Sequence, residues 1–521
     1  MTGRRALARA LDTIAALLGA GILGALVAPY ARPEDLFVAL VLVLVLRHTL
    51  QPFSIPSPDP WRVTVVATAA YAAIFAFVTI TRHINLMTHA LDLGQYVQIV
   101  WSMATGRGPR MSLPEMHAWG DHLSPILWGL VPLFWIVPGP VTLLVVQSIA
   151  LALGAPAVYL LARRHLEDDR LAALFAVLYL LNPSLHGMNV RDFHPAVLAV
   201  PLLLWAFLAA DAGRPLLCAG ALVLTLATRE DAALPVIGFG LWLAVGRRQW
   251  LAGAATAAAA FAVLWADTRW VIPAFRGEPY VHHLRRYAAF GGSLIDIVLA
   301  LALHPLRVLG QILTLNRLVY ALAMLAPLGF LPLLGPAELA GALPALAQNL
   351  LSRDPILFHH RTQYQAFVLP FLLVAAVVGA ARLRVRRPEA YAKGALVLAV
   401  AASLILASRT INQFAIYRWW PDASDRAAHR VIAEVPATGA VSAQDPYVAH
   451  VSLRPLVFVF PVGIEKADYL ILNTASYPWR DLPGVTMARD GEGVVIGMPN
   501  GQIHRYAVAA EGGPHLLLRR R

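Results

Sequence analysis

The chain is 521 residues long, and 58% of these residues are hydrophobic while only 14% are charged. Together with a mean hydropathy of +0.62, this composition excludes an ordinary water-soluble protein, in which about 25% of the residues are charged. The formal charge of +12 comes almost wholly from arginines that lie in short clusters between apolar runs, which favours membrane topology signals over nucleic-acid binding.

Apolar runs of membrane-spanning length recur through residues 1–410. The clearest runs cover residues 14–28, 63–80, 141–162, 196–210, 252–271, 318–334, 366–380 and 394–407. Each is near the roughly 20 residues that a helix needs to cross about 30 Å of hydrocarbon. We therefore predict a mainly α-helical, polytopic membrane protein with about ten to thirteen spans.

Arginine clusters predict the orientation of the spans, because positive residues beside a span resist translocation. The strongest clusters lie at residues 4–9, 247–248 and 382–393. If the last cluster is cytoplasmic, residues 420–521 lie outside the membrane. Counting backward also places three polar segments at the outer face, at residues 182–194, 229–231 and 352–364. Because many spans follow the first cluster, we expect the N-terminal run to be an anchor that stays attached.

Two polar stretches interrupt the predicted membrane domain, which covers residues 1–415. The first outer loop, residues 82–122, contains an amphipathic segment at 92–103 that we expect to lie flat in the membrane interface. The second outer loop, residues 273–305, carries the basic residues His282, His283, Arg285 and Arg286. Between the two loops, prolines interrupt the apolar run at 124–138, which predicts a half-span.

The composition changes after Trp420. Short apolar runs separated by proline, glycine and aspartate follow a helix-like segment at residues 425–434. This alternation predicts a small soluble α/β domain at residues 420–521, outside the membrane. It contains no glycine-rich phosphate loop, which favours accessory packing over nucleotide binding.

Acidic and histidine residues at the edge of a membrane span are costly unless they serve a polar cavity, so they are candidates for a functional site. Asp92 opens the amphipathic segment, where a carboxylate could cap the helix or act as a general base. Asp121 and His122 precede Pro125, so they mark either a helix start or a site that fixes a phosphate or a metal.

Three further groups stand at the predicted outer face. Asp192 with His194, and Arg229 with Glu230, either pair only within each group or line one common site. The last group comprises His359, His360, Arg361 and Tyr364. It could bind a monophosphate or diphosphate head group or form a positively charged belt at the interface.

Metal ligands are harder to assign from the sequence. The single cysteine, Cys218, lies in an apolar run, which excludes a disulfide framework and a cysteine metal site. The histidines show no H-E-x-x-H or comparable spacing. We therefore assign no residue to a metal and predict no required cofactor, although the site remains compatible with a divalent metal.

Several motifs resemble a prokaryotic family of multipass membrane proteins that is known only as a domain of unknown function. The resemblance covers about residues 85–475. The motifs that carry it are Leu91-Asp92-Leu93-Gly94-Gln95-Tyr96, Gly120-Asp121-His122-Leu123-Ser124-Pro125, Asn182-Pro183, Asp192-Phe193-His194-Pro195, Arg229-Glu230-Asp231, Val441-Ser442-Ala443-Gln444 and Ala467-Asp468-Tyr469.

That family in turn resembles the GT-C glycosyltransferases, which use polyprenyl-phosphate sugars. The resemblance implies that Asp92 is the base in the first outer loop, although Leu93 stands where many GT-C members carry a second acidic residue. It implies a multipass protein of the plasma (inner) membrane that binds membrane lipid and a polyprenyl-phosphate sugar. The sugar acceptor would be an extracytoplasmic glycan, lipid or protein, and no nucleic acid is expected.

From these arguments we expect two sets of site residues. The catalytic set is Asp92, Asp121 and His122. The substrate-binding set is Asp192, His194, Arg229, Glu230, His359, His360, Arg361 and Tyr364. Two other functions remain open, a transporter or flippase of lipid-linked substrates and a membrane assembly protein without catalytic activity.

Overall fold

A computed structural model describes residues 2–28, 31–53, 58–281, 283–386, 389–475, 482–491 and 493–521 of the chain. His282, which the sequence analysis placed in the second outer loop, lies outside the described residues. The same holds for residues 387–388, which belong to the predicted cytoplasmic cluster.

Many of the apolar runs form helices that begin at proline or at a capping side chain. Asp59, Asp168 and Asn182 each accept a hydrogen bond from a backbone N–H in the first turn of the helix that follows. The helices before the C-terminal domain are α1 (Thr2–Val27), α2 (Pro33–Leu50), α3 (Pro60–Ile84), α4 (Gln95–Ala104), α5 (Val131–Ile136), α6 (Pro140–Ala152), α7 (Gly154–Leu166), α8 (Asp169–Leu180), α9 (Pro183–Val190), α10 (Ala199–Asp211), α11 (Pro215–Leu226), α12 (Ala233–Val245), α13 (Trp250–Ala266), α14 (Ile272–Arg276), α15 (Leu294–Leu303), α16 (Pro305–Ile312), α17 (Leu315–Leu325), α18 (Pro336–Gly341), α19 (Leu343–Leu351), α20 (Leu369–Arg386) and α21 (Glu389–Leu406).

Within the described residues, six helices are long and apolar enough to cross a membrane, and a seventh span results if the bent pair α15 and α16 is counted as one. The sequence predicted about ten to thirteen spans from its apolar runs. Several runs fold instead into shorter apolar helices, at Pro195–Asp211, Pro215–Leu226 and Leu315–Leu328. The predicted half-span near residues 124–138 is a 3-10 turn followed by the six-residue helix α5.

The core of the helical domain lies where α7, α8, α10, α12 and α20 meet. Phe207 lies at its centre, with its ring 4.8 Å from the ring of Phe239 and 5.2 Å from that of Phe371. All three side chains are fully buried. Aromatic side chains of this size remove a large apolar area from contact with surrounding solvent or lipid and fix the helices by shape.

The C-terminal part of the chain contains a seven-stranded mixed sheet in the order β4-β3-β5-β9-β8-β7-β6. Strand β3 pairs in parallel with β4 and β5, and the other neighbours are antiparallel. Its strands are β3 (Val441–Ala443), β4 (Val457–Val459), β5 (Tyr469–Asn473), β6 (Thr486–Asp490), β7 (Gly493–Gly497), β8 (Ile503–Gly512) and β9 (His515–Arg520), and its helices are α22 (Ala423–Ala433) and α23 (Asp445–Val448). The predicted small α/β domain is therefore rich in strands.

The C-terminal domain covers the first outer loop. The amide of Gln98 on α4 donates to the carbonyl of Arg454 at 3.0 Å, and the hydroxyl of Ser112 donates to the carbonyl of Val457 at 2.7 Å. Ser112 belongs to a two-stranded hairpin, β1 (Arg110–Ser112) and β2 (Glu115–His117). Eight of the ten residues of α4 are buried. Helix α4 is therefore largely enclosed by protein, and its position in the membrane interface stays a prediction.

Candidate functional site

Asp92 and His194 form an ion pair at the start of the first outer loop. The Asp92 carboxylate lies 3.1 Å from Nε2 of His194, and the Asp92 side chain is 35% exposed while that of His194 is 5% exposed. Burial raises the pKa of Asp92, but the neighbouring His194 outweighs this effect, so the pKa lies below its usual value. The pair therefore presents an ionised carboxylate at an open surface.

Two other carboxylates hold the turn that carries Asp92. The side chain of Asp192 accepts the backbone N–H of His89 at 2.8 Å, and that of Asp445 accepts the backbone N–H of Ala90 at 2.9 Å. Asp445 also binds the ring of His89 at 2.7 Å. Asp192 and Asp445, rather than Asp92, satisfy the first N–H groups of this segment, which excludes the capping role that the sequence left open for Asp92.

Glu230 is the centre of a second group, which lies deeper in the protein. Its side chain is 2% exposed and lies 2.8 Å from Nδ1 of His122. It also accepts the backbone N–H of Leu123 at 3.2 Å and the hydroxyl of Tyr280 at 3.1 Å. Burial raises the pKa of Glu230, but the proximity of His122 outweighs burial and keeps the pKa below its usual value. The buried carboxylate is therefore held in its charged form by several donors.

Arg229 forms a bidentate ion pair beside Glu230. Its guanidinium donates to the Asp231 carboxylate at 2.5 and 2.6 Å, and Gln348 donates to the same carboxylate at 2.6 Å. The guanidinium also lies over the ring of Tyr364, 5.2 Å from its centre. Because Asp231 already engages two of its donors, Arg229 has less capacity to bind a further anion.

A cavity of about 820 Å³ opens beside the Glu230 group. At its polar end, Arg286 donates to the hydroxyl of Tyr364 at 2.9 Å and lies 3.4 Å from the carboxylate of Asp354. The polar lining comprises His122, Arg229, Glu230, Asp231, Arg269, Tyr280, His283, Arg286, Gln348 and Tyr364. The apolar lining comprises Leu234, Leu264, Trp265, Val281, Ile295, Ile297, Val298, Leu301 and Leu351, among others. The cavity therefore suits a ligand with a charged head and an apolar tail.

Helix α4 lies between the Asp92 and Glu230 groups. The amide of Gln95 donates to the carboxylate of Asp121 at 3.3 Å. The ring of Tyr96 meets that of His194 edge to face, with 6.4 Å between ring centres. Burial raises the pKa of Tyr96. The positive charge of Arg229 lowers this pKa and the negative charge of Asp92 raises it, so the Tyr96 hydroxyl senses both groups. Adjacent residues of α4 thus contact Asp121 on one hand and His194 on the other.

The last predicted group, His359, His360, Arg361 and Tyr364, divides in the structure. Tyr364 lines the cavity, whereas His359, His360 and Arg361 are absent from the cavity wall as far as the described residues define it. Arg361 instead donates to the hydroxyl of Thr410 at 3.0 Å and to the carbonyl of Leu406 at 3.3 Å. Burial and neighbouring arginines lower the pKa of His360 to about 4. These three residues form a separate basic cluster next to the end of α21.

The sequence analysis overlooked several residues that the structure brings to the two groups. Asp445 lies more than 350 positions away from His89 in the chain, so no local pattern could reveal their contact. Tyr280 and Gln348 carry no motif. His283 and Arg286 belong to the basic second outer loop and are not among the predicted site residues. Their charge in this loop is the signal that could have identified them.

Comparisons with known proteins agree with the fold. A family model described as "Predicted membrane protein (DUF2079)" matches residues 82–487, and no curated protein matches the chain. The crystal structure of ArnT from Cupriavidus metallidurans bound to undecaprenyl phosphate is similar, with a TM-score of 0.50 and 15% identity over 89% of this chain and 98% of that chain. The apo state of that protein gives a TM-score of 0.48 and 14% identity over 87% and 97% of the two chains. The likeness to the bound structure shows a shared GT-C fold, as the sequence predicted.

Proposed function

Since the chain belongs to the DUF2079 family of predicted membrane proteins, we propose that it is a membrane glycosyltransferase that transfers a sugar from a polyprenyl-phosphate donor. The observation that carries this proposal is the cavity of about 820 Å³, which joins a charged end to apolar walls. A polyprenyl phosphate has the same two parts. The ArnT structure with the similar fold was bound to such a lipid, undecaprenyl phosphate, which suggests the donor class to test.

The donor phosphate would lie at the polar end of the cavity. Arg286 and the hydroxyl of Tyr364 are hydrogen-bonded at 2.9 Å, and both line the cavity. A guanidinium and a phenol offer several donors to phosphate oxygens. Arg361 and His360, which we expected to bind the phosphate, are directed elsewhere, so we assign this role to Arg286 and Tyr364.

Asp92, which lies just before the first turn of α4, would act as the general base. It is ionised and open to an acceptor, whereas the carboxylates that line the cavity are already engaged. In the proposed step, Asp92 accepts the proton of the acceptor hydroxyl, and the hydroxyl oxygen forms a bond to the anomeric carbon of the sugar. The bond between that carbon and the phosphate oxygen breaks, and polyprenyl phosphate leaves with the electron pair. In this scheme His194 orients the carboxylate, while Asp121 and His122 hold the loop beside the point where acceptor and donor meet.

One observation favours a flippase as the second candidate function. Helices α15 and α16 form a bent pair with an angle of 96°, and α15 contributes Ile295, Ile297 and Val298 to the cavity wall. Broken helices beside a cavity are common in transporters. Movement of a lipid-linked sugar between leaflets without transfer would support this function.

A reconstituted assay separates the two functions. Purified protein in liposomes would receive a panel of radiolabelled polyprenyl-phosphate sugars, and both sugar release or transfer and movement of the lipid between leaflets would be scored. We expect transfer by the unmodified protein and a loss of about tenfold or more in kcat/KM in Arg286→Gln. Arg505→Gln is the matched control, because Arg505 is an exposed ion-pair partner of Asp490 in the sheet. Leaflet exchange without transfer, or equal kcat/KM in both variants, would contradict the proposed donor site.

A further inference from the structure

We propose that His122, Glu230 and His283 form a binding site for a divalent transition metal, with zinc as the preferred ion. One ligand atom from each of these three residues lies within 4.8 Å of the other two. They come from three different segments, namely the end of the first outer loop, the turn before α12 and the second outer loop. Such convergence of two imidazoles and a carboxylate is the ligand set that zinc takes in many catalytic sites.

The two imidazole rings are stacked face to face. The rings of His122 and His283 are nearly parallel, with 4.5 Å between their centres and an angle of 12°. Because the lone pair of a ring nitrogen lies in the plane of its ring, one of the two rings would rotate out of this stack when both bind one metal ion. The Glu230 carboxylate, 2% exposed, adds a buried negative charge that a bound cation would compensate.

Neighbouring groups hold the three residues in place. The backbone N–H of Leu123 and the hydroxyl of Tyr280 each donate to the Glu230 carboxylate. A carboxylate oxygen of Asp121 lies 4.0 Å from Nε2 of His283. A carboxylate that accepts the ring N–H of a ligating histidine orients the ring and raises its basicity, and donors to a ligating carboxylate fix its orientation. Asp121, which the sequence analysis selected as catalytic, would thus be a positioning residue for this site.

The site would also present the metal to the cavity. His122, Glu230 and His283 all belong to the cavity wall, together with Arg286 and Tyr364. Three protein ligands leave a coordination position for water or a substrate oxygen. If the proposed glycosyltransferase function holds, this position would accept an oxygen of the donor phosphate, so the metal's role in transfer rests on that function. Metal binding itself does not rest on it.

Metal binding can be measured without any assay of transfer. The full chain, purified with a tag that contains no histidine, would be stripped with a chelator and titrated with zinc chloride, with bound zinc measured by elemental analysis after desalting. We expect about one zinc ion per chain. Glu230→Gln and His283→Gln keep the side-chain size, and we expect each to weaken zinc binding by about a hundredfold or more. His304→Gln is the matched control, because His304 is exposed on the same segment and should leave binding unchanged.

A second measurement, of thermal unfolding, shows whether the variants are folded. Zinc should raise the thermal unfolding midpoint of the unmodified protein and of His304→Gln, and it should leave that of Glu230→Gln unchanged. Equal zinc content in His283→Gln and the unmodified protein, or no tightly bound zinc in the unmodified protein, would overturn the proposed site. Zinc binding without sugar transfer would leave the site in place and contradict the glycosyltransferase function instead. Undiminished transfer by metal-free protein would show that the metal has no catalytic role.

Discussion

The Asp92 and Glu230 groups use the same residue types in different surroundings. Asp92 is 35% exposed and has one histidine partner at 3.1 Å, whereas Glu230 is 2% exposed and accepts from a tyrosine hydroxyl and a backbone N–H as well. An open carboxylate can exchange its partner for a substrate. A buried one with several donors is fixed, and its charge is needed to balance those around it. Under the proposed function, we therefore expect proton transfer at the first group and ligand binding or a structural role at the second.

The largest expected effect is a loss of sugar transfer, which would distinguish the Asp92 group from the Glu230 group. Asp92→Asn removes the proposed base without changing side-chain size, so we expect sugar transfer to fall by about 10²–10⁴-fold. The thermal unfolding midpoint should change little, because the side chain is partly exposed. Transfer in proteoliposomes and unfolding in detergent would be compared with Asp490→Asn, an exposed aspartate of β6. Transfer at the unmodified rate would exclude Asp92 as the base.

The next effect concerns stability in the buried group. Arg229→Met leaves Asp231 without its bidentate partner, and the free energy of unfolding should fall by about 3–5 kcal/mol. The matched change Arg505→Met breaks an exposed ion pair and should cost about 0–1 kcal/mol. Thermal or denaturant unfolding in one detergent would compare the two. A similar loss of unfolding free energy in both variants would mean that burial does not give the Arg229–Asp231 pair the larger role that we propose.

The same contrast explains how much the sequence could predict. The apolar runs and the change in composition after Trp420 predict a helical membrane protein with a small soluble domain, because both depend on local hydrophobicity. The motifs around Asp92, Asp121, Asp192 and Glu230 also identify two clusters that the structure brings near α4.

The parts that the sequence did not reveal depend on distant contacts. The role of Asp445 depends on how the C-terminal domain packs on the first outer loop. Arg361 lies close to Tyr364 in the chain, yet its side chain donates to groups near the end of α21 and not into the cavity. The charge of an arginine does not predict the direction in which its side chain points.

A third prediction addresses how the C-terminal domain supports the Asp92 group. Asp445→Asn keeps an acceptor for the N–H of Ala90 but removes the charge that holds the ring of His89. We expect transfer to fall by about tenfold to a hundredfold, since a small displacement of a reacting group is costly. Zinc binding at the Glu230 group should stay unchanged. Equal losses of both properties would indicate that the domain supports the whole site rather than the Asp92 group alone.

The smallest expected effect is a pH dependence at the same domain contact. The ring of His450 stacks on that of His83 at 4.0 Å, and His429 lies 5.2 Å from His450. Burial, followed by the charges of His83 and His429, lowers the pKa of His450 well below its usual value.

Below the usual histidine pKa of about 6.5, the unfolded chain therefore binds a proton at His450 that the folded chain does not. Stability at this contact falls as the pH falls from about 7 to 5. Acid should thus increase proteolytic cleavage after Trp420, and His450→Gln should reduce this pH dependence, whereas the exposed His304→Gln should retain it. Because the contact adjoins the first outer loop, the same acidification should weaken transfer before it disturbs the buried Arg229–Asp231 pair. A cleavage rate that does not change with pH in the unmodified protein would contradict the role assigned to His450. The Asp92 and Glu230 groups would then differ only in how deeply they are buried.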